Sequence, residues 1–260
     1  LPSKMNSCVD WGSCFFTCLN LRSVTMPSIN ATNNLQYAFY NCTQLEWVKF
    51  TSMPTVGANI ANCFQDSLNL QTVYFPATVS NPLSLYSLNS TFSGCRQLKN
   101  IVLPSNMNVS TFESTFNSCS SLTSCILPAT SPGCTAYNNT FLSCASLLKI
   151  TLPAAPTAAV SFSSLFNSCV KLQEVTIPSG YILSNFNQTF INCNSLKTIS
   201  WTPGVQNSIQ QMQLTFVGCY LLTSFTMPTS MNALTTLSSA FSGARSLLSV
   251  TFPSSLNAVT

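Results

Sequence analysis

The chain has 260 residues, of which 46% are hydrophobic and only 5% charged, with a formal net charge of +4 and no histidine. Its nine lysines and arginines are scattered from Lys4 to Arg245 without a run, which excludes the clustered basic surface that carries nucleic-acid affinity. No apolar run approaches the roughly 18 residues needed to span a bilayer, and the lack of histidine removes the commonest general base and the commonest metal ligand together.

One pattern recurs from end to end. In chain order the coils are anchored by Phe15, Phe39, Phe64, Phe92, Phe116, Phe141, Phe166, Phe190, Phe216 and Phe241, spaced 24 to 28 residues apart. Four residues before each stands a large apolar side chain, from Trp11 and Leu35 to Met212 and Leu237. Three residues after it comes a cysteine in eight coils, with Ser67 and Ala244 in the other two, and three further on a leucine in all ten. The central coils show the unit most plainly: Phe92-Cys95-Leu98, Phe116-Cys119-Leu122, Phe141-Cys144-Leu147 and Phe166-Cys169-Leu172 are its expected core. An inward β-branched position follows (Val24, Val48, Val73, Ile101, Ile150), and then a closing proline such as Pro27, Pro76 or Pro104, displaced at Pro54 and Pro203.

Within a coil the spacing changes. Steps of four, three and three from the first apolar residue through Phe, Cys and Leu suit a short helical or 3₁₀ turn with one buried stripe. The step of two that follows is the period of a strand, which proline ends because it has no N–H for the ladder. The Ser-, Thr-, Asn- and Pro-rich stretch after the proline reads as a loop or a second, irregular strand. A single coil buries only about five apolar side chains, worth roughly 1.5–3 kcal/mol each, against about 1–2 kcal/mol of backbone entropy per ordered residue. Coils therefore stand only when stacked. The expected architecture is a solenoid over residues 1–260, with one parallel sheet on one side and short helical or 3₁₀ turns opposite. Leu1-Pro2 matches the tail of a coil, and Leu256–Thr260 the start of another. Without polar capping repeats, this predicts a fragment of a longer chain, cut within a repeat at both ends.

The unit Ala240-Phe241-Ser242-Gly243-Ala244-Arg245-Ser246-Leu247-Leu248-Ser249-Val250-Thr251-Phe252-Pro253 resembles the BspA-like leucine-rich repeat, as does Phe92-Ser93-Gly94-Cys95-Arg96-Gln97-Leu98. The resemblance extends over nearly the whole chain. It implies a curved parallel-sheet leucine-rich-repeat solenoid in a surface-exposed, adhesive protein, and it carries no catalytic motif. The low charge and the variable loop after the proline depart from the family and leave the type of partner open.

Among the thirteen cysteines, the eight at the repeat position read as a ladder of small buried thiols, since serine and alanine fill the same slot. Of the others, Cys125 holds the inward strand position, and Cys8 and Cys14 are close enough in sequence to pair in an oxidising compartment. No C-x-x-C, P-loop, Rossmann or G-x-S-x-G motif occurs, and the acidic residues Asp10, Glu46, Asp66, Glu113 and Glu174 fall in different coils. No cofactor, metal or enzymatic activity is expected. Six N-x-S/T sequons, from Asn30 to Asn187, are what chance gives in so Asn-, Ser- and Thr-rich a sequence.

The outward strand positions flanking the inward residue are mostly Ser and Thr, which suit an exposed strand by propensity alone. Trp47, Lys49 and Tyr74 interrupt that row with an aromatic-basic spot, and Lys149 and Glu174 with opposite charges. Aromatic residues with a polar tip commonly anchor interfaces. These five residues are the candidate partner-binding positions of an extracellular, cell-surface or virion-surface module that recognises protein or glycan on a host or neighbouring cell through the outer face of its sheet. The competing reading is a structural element of a fibre, sheath or virion, in which coils stack on further copies or on other parts of the same assembly.

Overall fold

A computed structural model describes residues 10–29, 34–53, 59–201, 209–227, 231 and 233–252. Leu1-Pro2, Cys8, Asn30, Pro54, Pro203, Pro228, Pro253 and Leu256–Thr260 lie outside them. In chain order the strands are β1 (Ser23–Met26), β2 (Trp47–Phe50), β3 (Thr72–Tyr74), β4 (Leu85–Ser87), β5 (Asn100–Val102), β6 (Asn108–Thr111), β7 (Ser124–Ile126), β8 (Lys149–Thr151), β9 (Val160–Ser161), β10 (Glu174–Ile177), β11 (Leu183–Asn185), β12 (Thr198–Trp201), β13 (Ser224–Thr226) and β14 (Ser249–Thr251). Every pairing is parallel, and equivalent repeat positions stand in register, for example Val24↔Val48↔Val73 and Ile150↔Val175↔Ile199.

The V-x-L strands make one side of the solenoid in four hydrogen-bonded groups, β1-β2-β3, β5-β7, β8-β10-β12 and β13-β14. A second, shorter set of strands pairs as β4-β6 and β9-β11 in the segment after the proline. Single bridges such as Asp10↔Asn34, Ala136↔Ser161 and Gln211↔Thr236 continue that row. The polar residues along it turn the chain inward by accepting from the amide two residues on: Asn34 Oδ1 from Gln36 N–H at 2.9 Å and Asn185 Oδ1 from Asn187 N–H at 2.8 Å.

The expected helical or 3₁₀ turns are replaced by something different. Among the described residues no helix forms. The arc around each phenylalanine is a string of tight turns in which amides alternate between two kinds of partner. Cys119 N–H bonds Phe116 O within its own coil, whereas Phe116 N–H bonds Thr140 O and Ser118 N–H bonds Leu142 O in the next. A helix would keep all its hydrogen bonds within one coil. Here half of them reach across and stitch the stack. The geometry requires left-handed backbone two residues before and two after each phenylalanine, as at Ser114 (φ 52) and Ser118 (φ 62). The later position is Gly94, Gly218 or Gly243 in three coils and Ser, Thr, Asn or Asp in the rest. Glycine suffers no Cβ clash in this region, and Asn and Asp tolerate it better than most residues.

The interior consists of aligned files. The ten anchor phenylalanines stack ring on ring without a break, with centroids 5.1–5.6 Å apart and interplanar angles of 2–16°. Phe92, Phe116, Phe141 and Phe166 are fully buried, as are Leu98, Leu122, Leu147 and Leu172 of the neighbouring leucine file. Beside the rings, Cys95, Cys119, Cys144 and Cys169 are buried too. Each points its thiol at a carbonyl one coil back: Cys119 Sγ donates to Phe92 O at 3.0 Å and Cys144 Sγ to Phe116 O at 3.1 Å. Ser67 makes the same bond to Phe39 O at 2.7 Å. Serine therefore replaces cysteine because the slot asks for a small side chain with one donor. A second internal file of buried threonines does likewise, with Thr115 Oγ1 donating to Leu88 O at 2.9 Å and Thr140 Oγ1 to Phe112 O at 3.0 Å.

Two outcomes test this account. Ser118→Gly should stabilise the chain by about 0.5–1 kcal/mol in urea titration, and Ser118→Val should destabilise it by at least as much, because only the former relieves the left-handed backbone. Cys119→Ser should fall within about 1 kcal/mol of the parent, whereas Cys119→Ala, which leaves a void and removes the donor to Phe92 O, should cost about 1–2 kcal/mol. Equal effects of the two cysteine replacements would remove the donor from the explanation.

Candidate functional site

The sheet built from the V-x-L strands presents its alternate residues outward, because successive side chains on a strand point to opposite faces. On β2 the pattern is exposed, buried, exposed, buried. Val48 and Phe50 go inside, while Trp47 and Lys49 come out. On β3 Val73 is buried and Tyr74 is exposed. The register sets Lys49 beside Tyr74 and Trp47 beside Thr72. Trp47 and Tyr74 are then diagonal neighbours, and their rings meet edge to face with centroids 6.5 Å apart and an interplanar angle of 74°. At 37% and 53% exposure, both keep a free flank for a partner. Close by, Arg22 and Glu46 form a 2.9 Å ion pair between the first two coils.

Two aliphatic residues continue this patch and were not singled out from the sequence. Val102 on β5 and Ile126 on β7 occupy the outward position held by Tyr74 on β3, and they are 57% and 55% exposed. The available signal was a β-branched aliphatic residue at a position that elsewhere carries Thr, Ser or Lys. The stretch from Trp47 through Tyr74 and Val102 to Ile126 is an exposed apolar band on an otherwise hydroxylated face.

Lys149 and Glu174 lie further along. They are register partners on β8 and β10, both exposed, and no ion pair joins them. They share the rim of a cleft of about 830 Å³ that runs between β7 and β8, with Ser124, Ile126, Thr151 and Thr176 also on its walls. The cleft coincides with a break in the sheet. At six junctions the first amide of a strand region bonds the matching carbonyl one coil back, as in Thr123 N–H to Lys99 O at 2.8 Å and Gln173 N–H to Leu148 O at 2.8 Å. The corresponding bond from Leu148 N–H to Thr123 O is not made, and β7 and β8 do not pair. The structure thus divides the five sequence-derived positions into an aromatic-basic spot and a separate charged cleft.

The buried cysteines among the described residues are poorly suited to act as nucleophiles or metal ligands. Most of the twelve described are buried, with Cys14 exposed and Cys125 half-buried beside the cleft. Cys8 lies outside the described residues. Burial pushes the Cys42 and Cys134 thiols up to about 11 and the Cys219 thiol up to about 12, only partly offset by backbone hydrogen bonds. Thiolate, the nucleophile and metal ligand, is thereby suppressed. Among the described residues no group of three Cys, Asp or Glu side chains is placed to hold a metal ion, and no helix is long and apolar enough to cross a membrane.

A folded thiol with a raised pKa keeps its proton where the unfolded one has lost it, so stability is complete below about pH 8.5 and falls as pH climbs toward 11. The urea midpoint should therefore drop between pH 8.5 and 10.5 under reducing conditions, and replacing Cys42 and Cys219 by serine should flatten that slope. A midpoint independent of pH over that window would show that these thiols titrate alike in both states.

The chain matches no curated protein. Among solved structures it is similar to a leucine-rich repeat protein from Bacteroides ovatus, at 20% identity and a TM-score of 0.38 over 96% of this chain and 78% of that one. A leucine rich cell surface protein from Faecalibacterium prausnitzii is similar at 18% identity and a TM-score of 0.37, over 96% and 86% of the two chains. The family model for the BspA type leucine rich repeat region matches in six copies, over residues 2–86, 62–185 and 137–260. Together with the in-register stack of coils, that match places the chain in the BspA-type leucine-rich repeat family.

Proposed function

We propose that this chain is a surface-exposed recognition module that binds protein or glycan on a host or neighbouring cell through the outward face of its V-x-L sheet. The observation that carries the reading is the exposed Trp47–Tyr74 pair with Lys49 alongside, on a sheet face otherwise nearly free of charge. Rigid aromatic rings supply large contact area at little cost in side-chain entropy, and aromatic residues with a polar tip are enriched where proteins meet partners. Membership of the BspA-type family supports a cell-surface setting and an interaction role. The catalytic inventory supports binding over chemistry: histidine is absent from the sequence, and the described buried thiols are held protonated.

Trp47→Ala and Tyr74→Ala each truncate a ring that leaves the buried files untouched, so the fold should persist. In a cell-binding or glycan-array assay each should weaken retention by about tenfold or more, as expected of an aromatic anchor worth at least 1–2 kcal/mol. Binding unchanged in both variants would take this face out of the account.

A further inference from the structure

We infer that the corner between the arc and the sheet, from the coil of Phe141 to that of Phe241, docks on the surface of an anionic phospholipid bilayer. In each coil the residues four, five and seven places after the anchor phenylalanine form this corner, outside the cysteine and leucine files. Successive corners lie side by side: Gln173 N–H bonds Leu148 O at 2.8 Å, and Lys197 N–H bonds Gln173 O at 3.0 Å. With rings in adjacent coils 5.2–5.6 Å apart, equivalent corner positions form one continuous strip.

Two features of the strip point to lipid. The first is apolar surface. Leu148, Val170, Tyr220 and Leu221 are 37–45% exposed, and each stands in a coil flanked by described coils on both sides. In the coils from Phe39 to Phe116 the same positions are polar apart from the half-buried Leu68, so the fold does not require apolar residues there. The second feature is charge. Lys171, Lys197 and Arg245 share the strip, all exposed and without an ion pair among the described residues. No acid occupies a corner position from the coil of Phe141 onward. Glu174 lies beyond the corner on the sheet face, beside Lys149 in register, and the two add no net charge. The Arg245 guanidinium rests 5.0 Å over the ring of Tyr220, which keeps a cation on the strip next to an aromatic residue with a polar tip.

Apolar and cationic side chains on one edge complement an anionic bilayer. Leucine and valine enter the boundary between headgroups and acyl chains, lysine and arginine extend their charged ends to the phosphates, and tyrosine is suited to the same depth. Neither set holds a protein there by itself, and the combination of a short apolar contact with basic residues does. An acidic polysaccharide would satisfy the cations and leave the leucines without a partner. The strip lies in other coils than Trp47 and Tyr74, so its occupation leaves the aromatic spot clear, and the inference stands apart from the reading of that spot.

The test is sedimentation of the 260-residue chain with sucrose-loaded vesicles at about 0.15 M salt. Vesicles of phosphatidylcholine and phosphatidylglycerol at about three to one should retain it, and vesicles of phosphatidylcholine alone should bind at least about tenfold more weakly. Lys171→Gln combined with Lys197→Gln should weaken binding to the anionic vesicles by about tenfold or more, at roughly fivefold per charge. Leu148→Ser combined with Leu221→Ser should weaken it by about tenfold through lost apolar contact. Glu113→Gln changes the net charge by one unit on the far side of the arc and should shift binding by less than about twofold. Circular dichroism melts check that each variant keeps the fold. No retention by anionic vesicles at about 1 mM lipid, or a double lysine variant that binds like the parent, overturns the proposal. Retention on polygalacturonate beads together with indifference to the leucine replacements also overturns it, and gives the strip to an acidic polysaccharide.

Discussion

The constraint on which the rest depends is the division of backbone hydrogen bonds in the arc around each phenylalanine. A tight turn that bonded only to itself would close each coil and leave neighbours held by side chains alone. Because Phe116, Ser118 and their equivalents send their amides into the next coil while Cys119 and its equivalents bond at home, the coils lock at a common spacing on this side as well as on the sheet side. That spacing makes ten phenylalanine rings a continuous stack and sets each cysteine or serine beneath the preceding phenylalanine carbonyl. Left-handed backbone at two positions per coil is the cost, of order 1 kcal/mol wherever the residue is not glycine. Regular bonding on both flanks outweighs it because a buried amide without a partner would cost more.

The repeat makes most of the fold legible in the sequence. Phe, Cys and Leu at fixed offsets declare which side chains face inward, and the step of two before the proline declares the strand. The nature of the arc was not legible. Steps of four, three and three fit a helical turn as well as a run of tight turns, since both bring every third or fourth residue to one side. Glycine at the position of Gly94, Gly218 and Gly243 carried the distinction, since left-handed backbone is foreign to a helix interior. It was muted because Ser, Thr, Asn and Asp fill the same position in the other coils.

The outward sheet face divides along the same line. Trp47, Lys49 and Tyr74 stand out from residue type alone, and parallel register is enough to make them neighbours. Val102 and Ile126 do not stand out, because a β-branched aliphatic residue is ordinary in a strand until the structure shows it facing outward. The cleft was hidden further, since it depends on where the ladder fails. Of the three breaks, those beside β4 and before β13 follow the longest coils, of 28 and 26 residues, while the break at the cleft follows a coil of 25, a length that elsewhere pairs normally. Spacing alone therefore does not locate it.

Regularity itself sets what can tell one coil from another. In a stack whose buried files repeat nearly unchanged, each coil offers a partner almost the same backbone and the same spacing as the next. A ligand that read only those features would slide from one register to another with little change in energy. A unique position requires departures from the repeat. Outward strand residues are free to supply them, because they contribute little to the interior files. The aromatic pair and the aliphatic residues that follow it are such departures, and they occur on one side of the molecule in consecutive coils. The nearly invariant interior thus acts as a ruler, and the exceptions on its surface are what distinguish one coil from the next.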